Sequence, residues 1–291
     1  MTHGAPAYIF RRVPLARPRA YPGTQAVSRA VGLLKCFTAE RPVLRLPDLA
    51  RLAGLNKTTA YRLLSALENE GLVDRLPDRR GYRLGPELLA LGSRVQGSAA
   101  LRAAARTELQ GLACATRETA TLEVLVGRDV LILDEAIGDY VVGSMPSLGT
   151  RWPAHTTSTG KVILANLPPP ALDGLLAEPL SDHTPKTITD PVALRRELAR
   201  VRERGWATAA EELEVGFVAV GVPVRGPGNE VIAALSVGGP KRRLTPERIR
   251  ELLSLLPAAA CRISERMGFR HRAAPPAPAA VRATRRPRAH S

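Results

Sequence analysis

The stretch Pro47 to Val73, PDLARLAGLNKTTAYRLLSALENEGLV, constrains this chain more than any other, because two short amphipathic helices meet in it across a four-residue turn. Leu49, Ala50 and Ala53 on the first segment, and Tyr61, Leu63, Leu64 and Leu67 on the second, recur at three- and four-residue steps. That spacing predicts one buried face on each helix and a free polar face opposite, the pattern of a helix-turn-helix. Asn56, a good helix cap, precedes the second segment, and Lys57, Thr58, Thr59, Tyr61 and Arg62 follow it. Short hydroxyls and cations on the first turns suit phosphates and base edges, and a recognition helix enters the major groove by those turns. Downstream, LVDRLPDRRGYRL alternates apolar and polar residues about a turn at Pro77 to Gly81, which predicts a β-hairpin wing with Arg79 and Arg80 at its tip and Tyr82 beside them. Upstream, a helix is predicted from about Gln25 to Ala39, with Val27, Ala30, Val31, Leu34 and Phe37 inward and Ser28 and Arg29 outward.

Charge divides the chain. The formal net charge is +15 over 291 residues; residues 1–22 hold four Arg and residues 269–291 six, neither with an acid, while residues 93–268 are nearly balanced. The basic excess therefore belongs to the DNA-binding segment and to two Pro/Ala-rich extensions that are predicted to be disordered. The expected organisation is a basic tail over 1–22, a winged helix-turn-helix domain over 23–84, linker helices over 85–117, a sensor or enzyme body over 118–268 and a second basic tail over 269–291. No apolar run reaches the length of a membrane span and the N-terminus lacks a signal-peptide core, so a cytoplasmic protein without a membrane partner is expected. Cys36, Cys114 and Cys261 are odd in number and widely spaced, which predicts reduced packing residues rather than disulfides or a metal site.

Beyond the wing, Gly85 to Gly92 and then Ala99 to Thr116 read as helices, the latter as a linker. Ala120–Val126 and Val130–Ala136 read as strands of a hairpin turning at Gly127 to Asp129. Thr157–Leu167 and Pro191–Gly205 read as helices, the second with Asp190 ahead of its first-turn Pro191. Val218–Arg225 and Val231–Val237 flank a Gly-Pro-Gly-Asn turn as paired strands, and a final helix is expected over Pro246–Met267. The fold class is α+β, with a mixed sheet in the second domain.

QAVSRAVGLL, LARLAGLNKTTAYRLLSALENEGLV, YRLGPELLALG, PAHTTSTGKVILA, TITDPVALRRELARVRERGWA, EELEVGF and VIAALSVGGPKRRLTPERI follow one another in an order that resembles the IclR family of bacterial transcriptional regulators. The resemblance spans about Gln25 to Gly268. It implies an N-terminal winged helix-turn-helix, a linker helix and a C-terminal GAF-like mixed α/β domain that binds a small metabolite and alters DNA affinity. It also implies a homodimer formed through the DNA-binding domains, often paired into a tetramer, on a double-stranded operator. Ser158 and Thr159, ahead of Gly160 and Lys161, match the helix start whose amides hold a ligand carboxylate in relatives that sense small oxo-acids. Ser236 matches a ligand-binding serine. Ala209, Ala219 and Gly238 stand where those relatives have Asp, Cys and a second Ser. With three polar contacts gone, a compact polar ligand would leave buried groups unpaired, so a roomier pocket and a larger, partly apolar organic acid are expected.

Other chemistry is weaker. His155 near Thr156, Thr157 and Ser158 lacks an oriented acidic partner, so no catalysis is expected there. Glu211, Glu212 and Glu214 read as a solvated loop end, with a cation or a ligand amine as the alternative, Gly238-Gly239-Pro240 as a strand terminus and turn, and Lys241, Arg242 and Arg243 as surface charge or as neighbours of an acidic ligand or subunit partner. No cofactor is called for. The favoured class is a ligand-responsive regulator; a metabolic enzyme with a DNA-binding appendage and a constitutive regulator with a decayed sensor remain the alternatives.

Overall fold

A computed structural model describes residues 24–38, 41–77, 81–93, 97–139 and 148–270. Residues 1–22 and 271–291 of the basic tails and the wing-tip residues Arg79 and Arg80 lie outside the described residues.

The N-terminal domain comprises α1 (Gln25–Leu34), α2 (Leu46–Leu52), α3 (Lys57–Asn69), β1 (Val73–Arg75) and β2 (Tyr82–Leu84). The connection from α2 to α3 holds Gly54 in the left-handed region at φ +65°, where a Cβ would be strained. Leu33, Phe37, Leu49, Ala50, Ala60, Leu64 and Leu67 form its core with Val73 and Tyr82 from the hairpin. β1 and β2 pair antiparallel, and Leu44 bridges to Tyr82 on the other side. Three expectations change. α1 stops at Leu34, not Ala39, and Val27 and Val31 are exposed, because only its last turn reaches the core through Leu33. On α3, Leu64 and Leu67 fix a phase that turns Ala60 inward and leaves Tyr61 on the exposed face. Tyr82 is buried in the core rather than presented on the wing, and burial raises its pKa.

The remainder is built on a six-stranded antiparallel sheet in the order β5-β4-β3-β8-β7-β6: β3 (Thr119–Val126), β4 (Asp129–Ala136), β5 (Arg151–Pro153), β6 (Ala207–Ala210), β7 (Phe217–Arg225) and β8 (Val231–Pro240). Strand alternation separates two faces. Ala120, Leu122 and Val124, with Val218, Val220, Val222, Leu235 and Val237, pack under α5 (Ser98–Thr116) and α9 (Pro246–Arg266). The helix expected to act as a linker is therefore a wall of this core, through Leu101, Ala105, Leu109 and Leu112; only α4 (Glu87–Ser93) precedes it. Thr119, Thr121, Glu123, Ala219, Ser236 and Gly238 point the other way, toward a cavity beside α6 (Ser158–Ala165). α6 packs in turn on α8 (Pro191–Arg204), and Leu175 and Leu176 of α7 (Pro169–Leu176) close this second core.

Local signals explain most boundaries. The Asp190 carboxylate accepts from the backbone N–H of Val192 and Ala193 to start α8, and Gly205 at φ +80° ends it. β5, β6 and α7 were not anticipated. β6 is ATAA and β5 contains Pro153, so pairing with neighbours fixes them rather than propensity. α7 opens with two prolines, which read as loop yet suit a helix's first turn. β8 runs on through Gly238, Gly239 and Pro240 where a turn was expected. The cysteines are free thiols; Cys36 packs in the N-terminal core as expected, but Cys114 is exposed.

Candidate functional site

The first candidate is the face of α3. The Asn56 side chain accepts from the Thr59 backbone N–H at 2.8 Å, which caps the helix and fixes its first turn. Asn56, Lys57, Thr58, Tyr61 and Arg62 are exposed there and Thr59 is half-buried; Ser28 and Arg29 of α1 are exposed as well. Neither Lys57, Arg62 nor Arg29 forms an ion pair with another described residue. On the wing, by contrast, Arg83 is held by Asp74 at 3.0 Å and Arg75 stacks over the Tyr82 ring. The surplus cations thus lie on α3 and α1, where they can meet an anion without breaking an internal bond.

The second candidate is the cavity of about 620 Å³ between the polar face of the sheet and the start of α6. Its position depends on close backbone contact. A Cβ on Gly221 of β7 would stand 2.9 Å from the Ser158 carbonyl carbon, and one on Gly160 would stand 2.0 Å from the Ala154 oxygen. Only glycine at both places lets α6 seat between β7 and the short turn Ala154–Thr156. The Thr157 hydroxyl caps α6 by accepting from the Gly160 N–H at 3.0 Å. Ser158, Thr159, Ala209, Ala219, Ser236 and Gly238 all line this cavity; Gly160, packed on Ala154, does not. The space at position 238 is not vacant: a Cβ there would meet the Phe217 ring at 2.8 Å, so the aromatic replaces the volume that a serine would take.

The cavity's polar chemistry was largely unforeseen. The Thr121 hydroxyl donates to Glu123 Oε1 at 2.7 Å, and the Thr159 hydroxyl donates to Glu123 Oε2 at 2.5 Å. Ser236 meets Thr121 at 2.8 Å. Glu123 is buried with no cation among these partners, and desolvation raises its pKa. At the rim, Arg243 holds Glu118 bidentately through bonds of 2.5 and 2.7 Å, so Arg243 is no simple surface charge. Glu211 and Glu212 are not a solvated loop end either. Glu212 pairs with the buried Lys161 at 2.5 Å, and Lys161 also donates to the Thr208 carbonyl. Glu211 binds Lys186, Lys241 and the Gly216 N–H, which holds its pKa down to about 2, Lys186 contributing most. The alternation Thr119, Thr121, Glu123 on a strand that is otherwise apolar was the sequence signal for this polar face.

His155 is buried with its Nε2 against the Ser181 carbonyl at 2.9 Å, and burial lowers its pKa; no nucleophile pairs with it. Among the described residues no group of His, Cys, Asp and Glu is placed to hold a metal ion, and no helix is long and apolar enough to cross a membrane.

Residues 26–77 match the IclR helix-turn-helix domain, and residues 94–265 match the C-terminal domain of bacterial IclR transcriptional regulators. The chain is 33% identical over 249 residues to the HTH-type transcriptional regulator XynR of Escherichia coli, covering 85% of this chain and 99% of that one. An IclR homolog from Microbacterium hydrocarbonoxydans, solved with 4-hydroxybenzoate, superposes with a TM-score of 0.73 at 30% identity, covering 84% of this chain and 99% of that one. An IclR-type transcriptional regulator from Alicyclobacillus acidocaldarius does so with 0.72 at 31%, covering 84% and 98%. With a helix-turn-helix whose basic face is free and a mixed α/β domain that encloses a cavity, this chain belongs to the IclR family of bacterial transcriptional regulators.

Proposed function

We propose that the protein controls transcription as a homodimer, with α3 of each copy in the major groove of one operator half-site and a small organic effector in the cavity of about 620 Å³. The observation that carries this reading is the capped first turn of α3, where Lys57 and Arg62 stand exposed without an ion pair to another described residue. Lys57, Thr58, Thr59, Tyr61 and Arg62 address base edges and adjacent phosphates, while Ser28, Arg29 and the wing cations Arg79 and Arg80 hold the backbone. The exposed Val27 and Val31 of α1 and Leu89 and Leu91 of α4 support dimerisation through this end of the chain.

The cavity's mixed lining supports an effector larger than a two-carbon acid: Ile132, Trp152, Leu213, Val215 and Phe217 supply apolar wall and the Thr and Ser hydroxyls supply polarity. Effector binding biases the population of DNA-competent dimers, and DNA must change effector affinity by the same factor. The test is selection of genomic fragments by the purified chain, then operator affinity at fixed salt with and without a panel of organic acids and alcohols. Recovery of one inverted-repeat site, bound in about the 10⁻⁸–10⁻¹¹ M range and shifted by one compound, is the expected result. Equal, salt-sensitive binding to every fragment would refute the operator reading.

A further inference from the structure

An internal carboxyl stands at the start of α6. Glu123, on the cavity face of β3, is held against the first turn of α6 by the Thr159 hydroxyl at 2.5 Å and against β8 by way of Thr121 and Ser236. A ligand carboxylate entering at Thr159 would have to approach a second carboxyl that is itself buried, and two such groups cannot both ionise there without a large cost.

The hydroxyl network has a direction. Thr121 spends its proton on Glu123, so at the 2.8 Å contact Ser236 is the donor to Thr121. Within this network the lone pairs of Ser236 and, when Glu123 is ionised, its remaining lone pairs are the groups left to meet a ligand, and both accept. The other ionisable groups on the wall do not offset this. Arg243 is engaged with Glu118, and Glu212 is engaged with Lys161. Ile132, Trp152 and Phe217 give the same cavity an apolar wall.

Resting on the reading of this cavity as the effector site, we propose that Glu123 is its specificity-determining residue and that the effector presents a hydroxyl on an apolar ring or chain, not a carboxylate, to the start of α6. A hydroxyl satisfies Glu123 in either protonation state, by donating to the carboxylate or by accepting from the acid. A carboxylate fits only when Glu123 is protonated.

Calorimetry on the full chain tests this with two single-ended probes of the same ring, benzyl alcohol and benzoate, against the wild type and Glu123→Gln. On the alkaline side of the Glu123 titration, followed as the pH dependence of benzoate binding, the wild type should bind benzyl alcohol at least about tenfold more tightly than benzoate, and the variant should bind benzoate at least about tenfold more tightly than the wild type does, because the like charge is gone. Benzoate bound by the wild type as tightly as the alcohol at every pH, or no gain for benzoate in the variant at that pH, would overturn the proposal. Should Glu123→Gln fail to fold, the wild type alone decides: benzoate affinity must rise as pH falls while benzyl alcohol affinity stays level, and a flat benzoate profile refutes it. These readouts need no DNA, so loss of operator selectivity would sink the regulatory reading without touching this one.

Discussion

The α3 face and the cavity are both rich in polar groups, but those groups are held in opposite ways. On α3 the cap bond between Asn56 and Thr59 is the main internal commitment, and Lys57 and Arg62 stand in solvent. In the cavity Glu123 has two hydroxyl partners, Glu212 has Lys161, and Glu118 has Arg243. Solvent satisfies an exposed cation at almost no cost, so the surface can carry unpaired groups in reserve for a partner. Burial forbids this, and every group in the cavity must first stabilise the fold before it can select a ligand. Substitutions on α3 should accordingly change DNA affinity at constant stability, and substitutions around the cavity should change stability as well as binding.

The largest expected effect is at the buried pair. Lys161→Ala leaves Glu212 without its cation inside the domain and should destabilise the effector domain by about 3–5 kcal/mol, seen as a lower melting transition. An unchanged transition would show that water reaches Glu212 and that the contrast with α3 is false. Next comes Arg62→Ala. Operator affinity should fall by about 1–3 kcal/mol with relaxed sequence preference and an unaltered melting temperature. A uniform loss across all sequences, with a shallower salt dependence, would assign Arg62 to phosphate instead. Asn56→Ala should cost about 1 kcal/mol of stability as well as affinity, since it removes the cap and frays the same turn, which makes this exposed residue an exception to the rule.

Two pH effects are smaller and opposite in sign. Glu123 has a raised pKa in the folded protein, so the folded state binds its proton more tightly than the unfolded chain, whose value is near 4.5. Its stabilising contribution is full below that value and declines as pH rises toward the folded pKa. The melting temperature of Glu123→Gln relative to wild type should therefore increase as pH is raised above the ordinary carboxylate range. Glu211 is the reverse case. Its pKa of about 2 means that its bonds to Lys186 and Lys241 contribute fully above 4.5 and are lost as pH falls toward 2. Lys186→Met should flatten part of the acid-side loss of stability; an identical acid profile would remove Glu211 from the account.

What could be read without coordinates followed the same division. The helix-turn-helix was legible because helical periodicity and a capping residue are local, and local rules decide which groups of α3 stay in solvent. Errors arose where phase depended on a neighbour: Tyr61 lost its inward position once Leu64 and Leu67 set the helix against α1 and α2, and Val27 and Val31 lost theirs because α1 touches the core only at its end. In the second domain the strand pairs and α8 were legible, while β5 and β6 were not, being edge strands of three and four residues fixed by their partners.

By itself, then, the sequence determined the helix-turn-helix, the central strand pairs and, through the family resemblance, the positions 158, 159, 209, 219, 236 and 238 that meet around one cavity. Tertiary structure alone decided what that cavity demands. Thr159 and Glu123 are thirty-six residues apart, Lys161 and Glu212 fifty-one, and Arg243 and Glu118 one hundred and twenty-five. Periodicity says which face of an element a residue occupies, but the charge or hydroxyl that will satisfy it once water is excluded comes from a distant part of the chain, and only packing brings the two together.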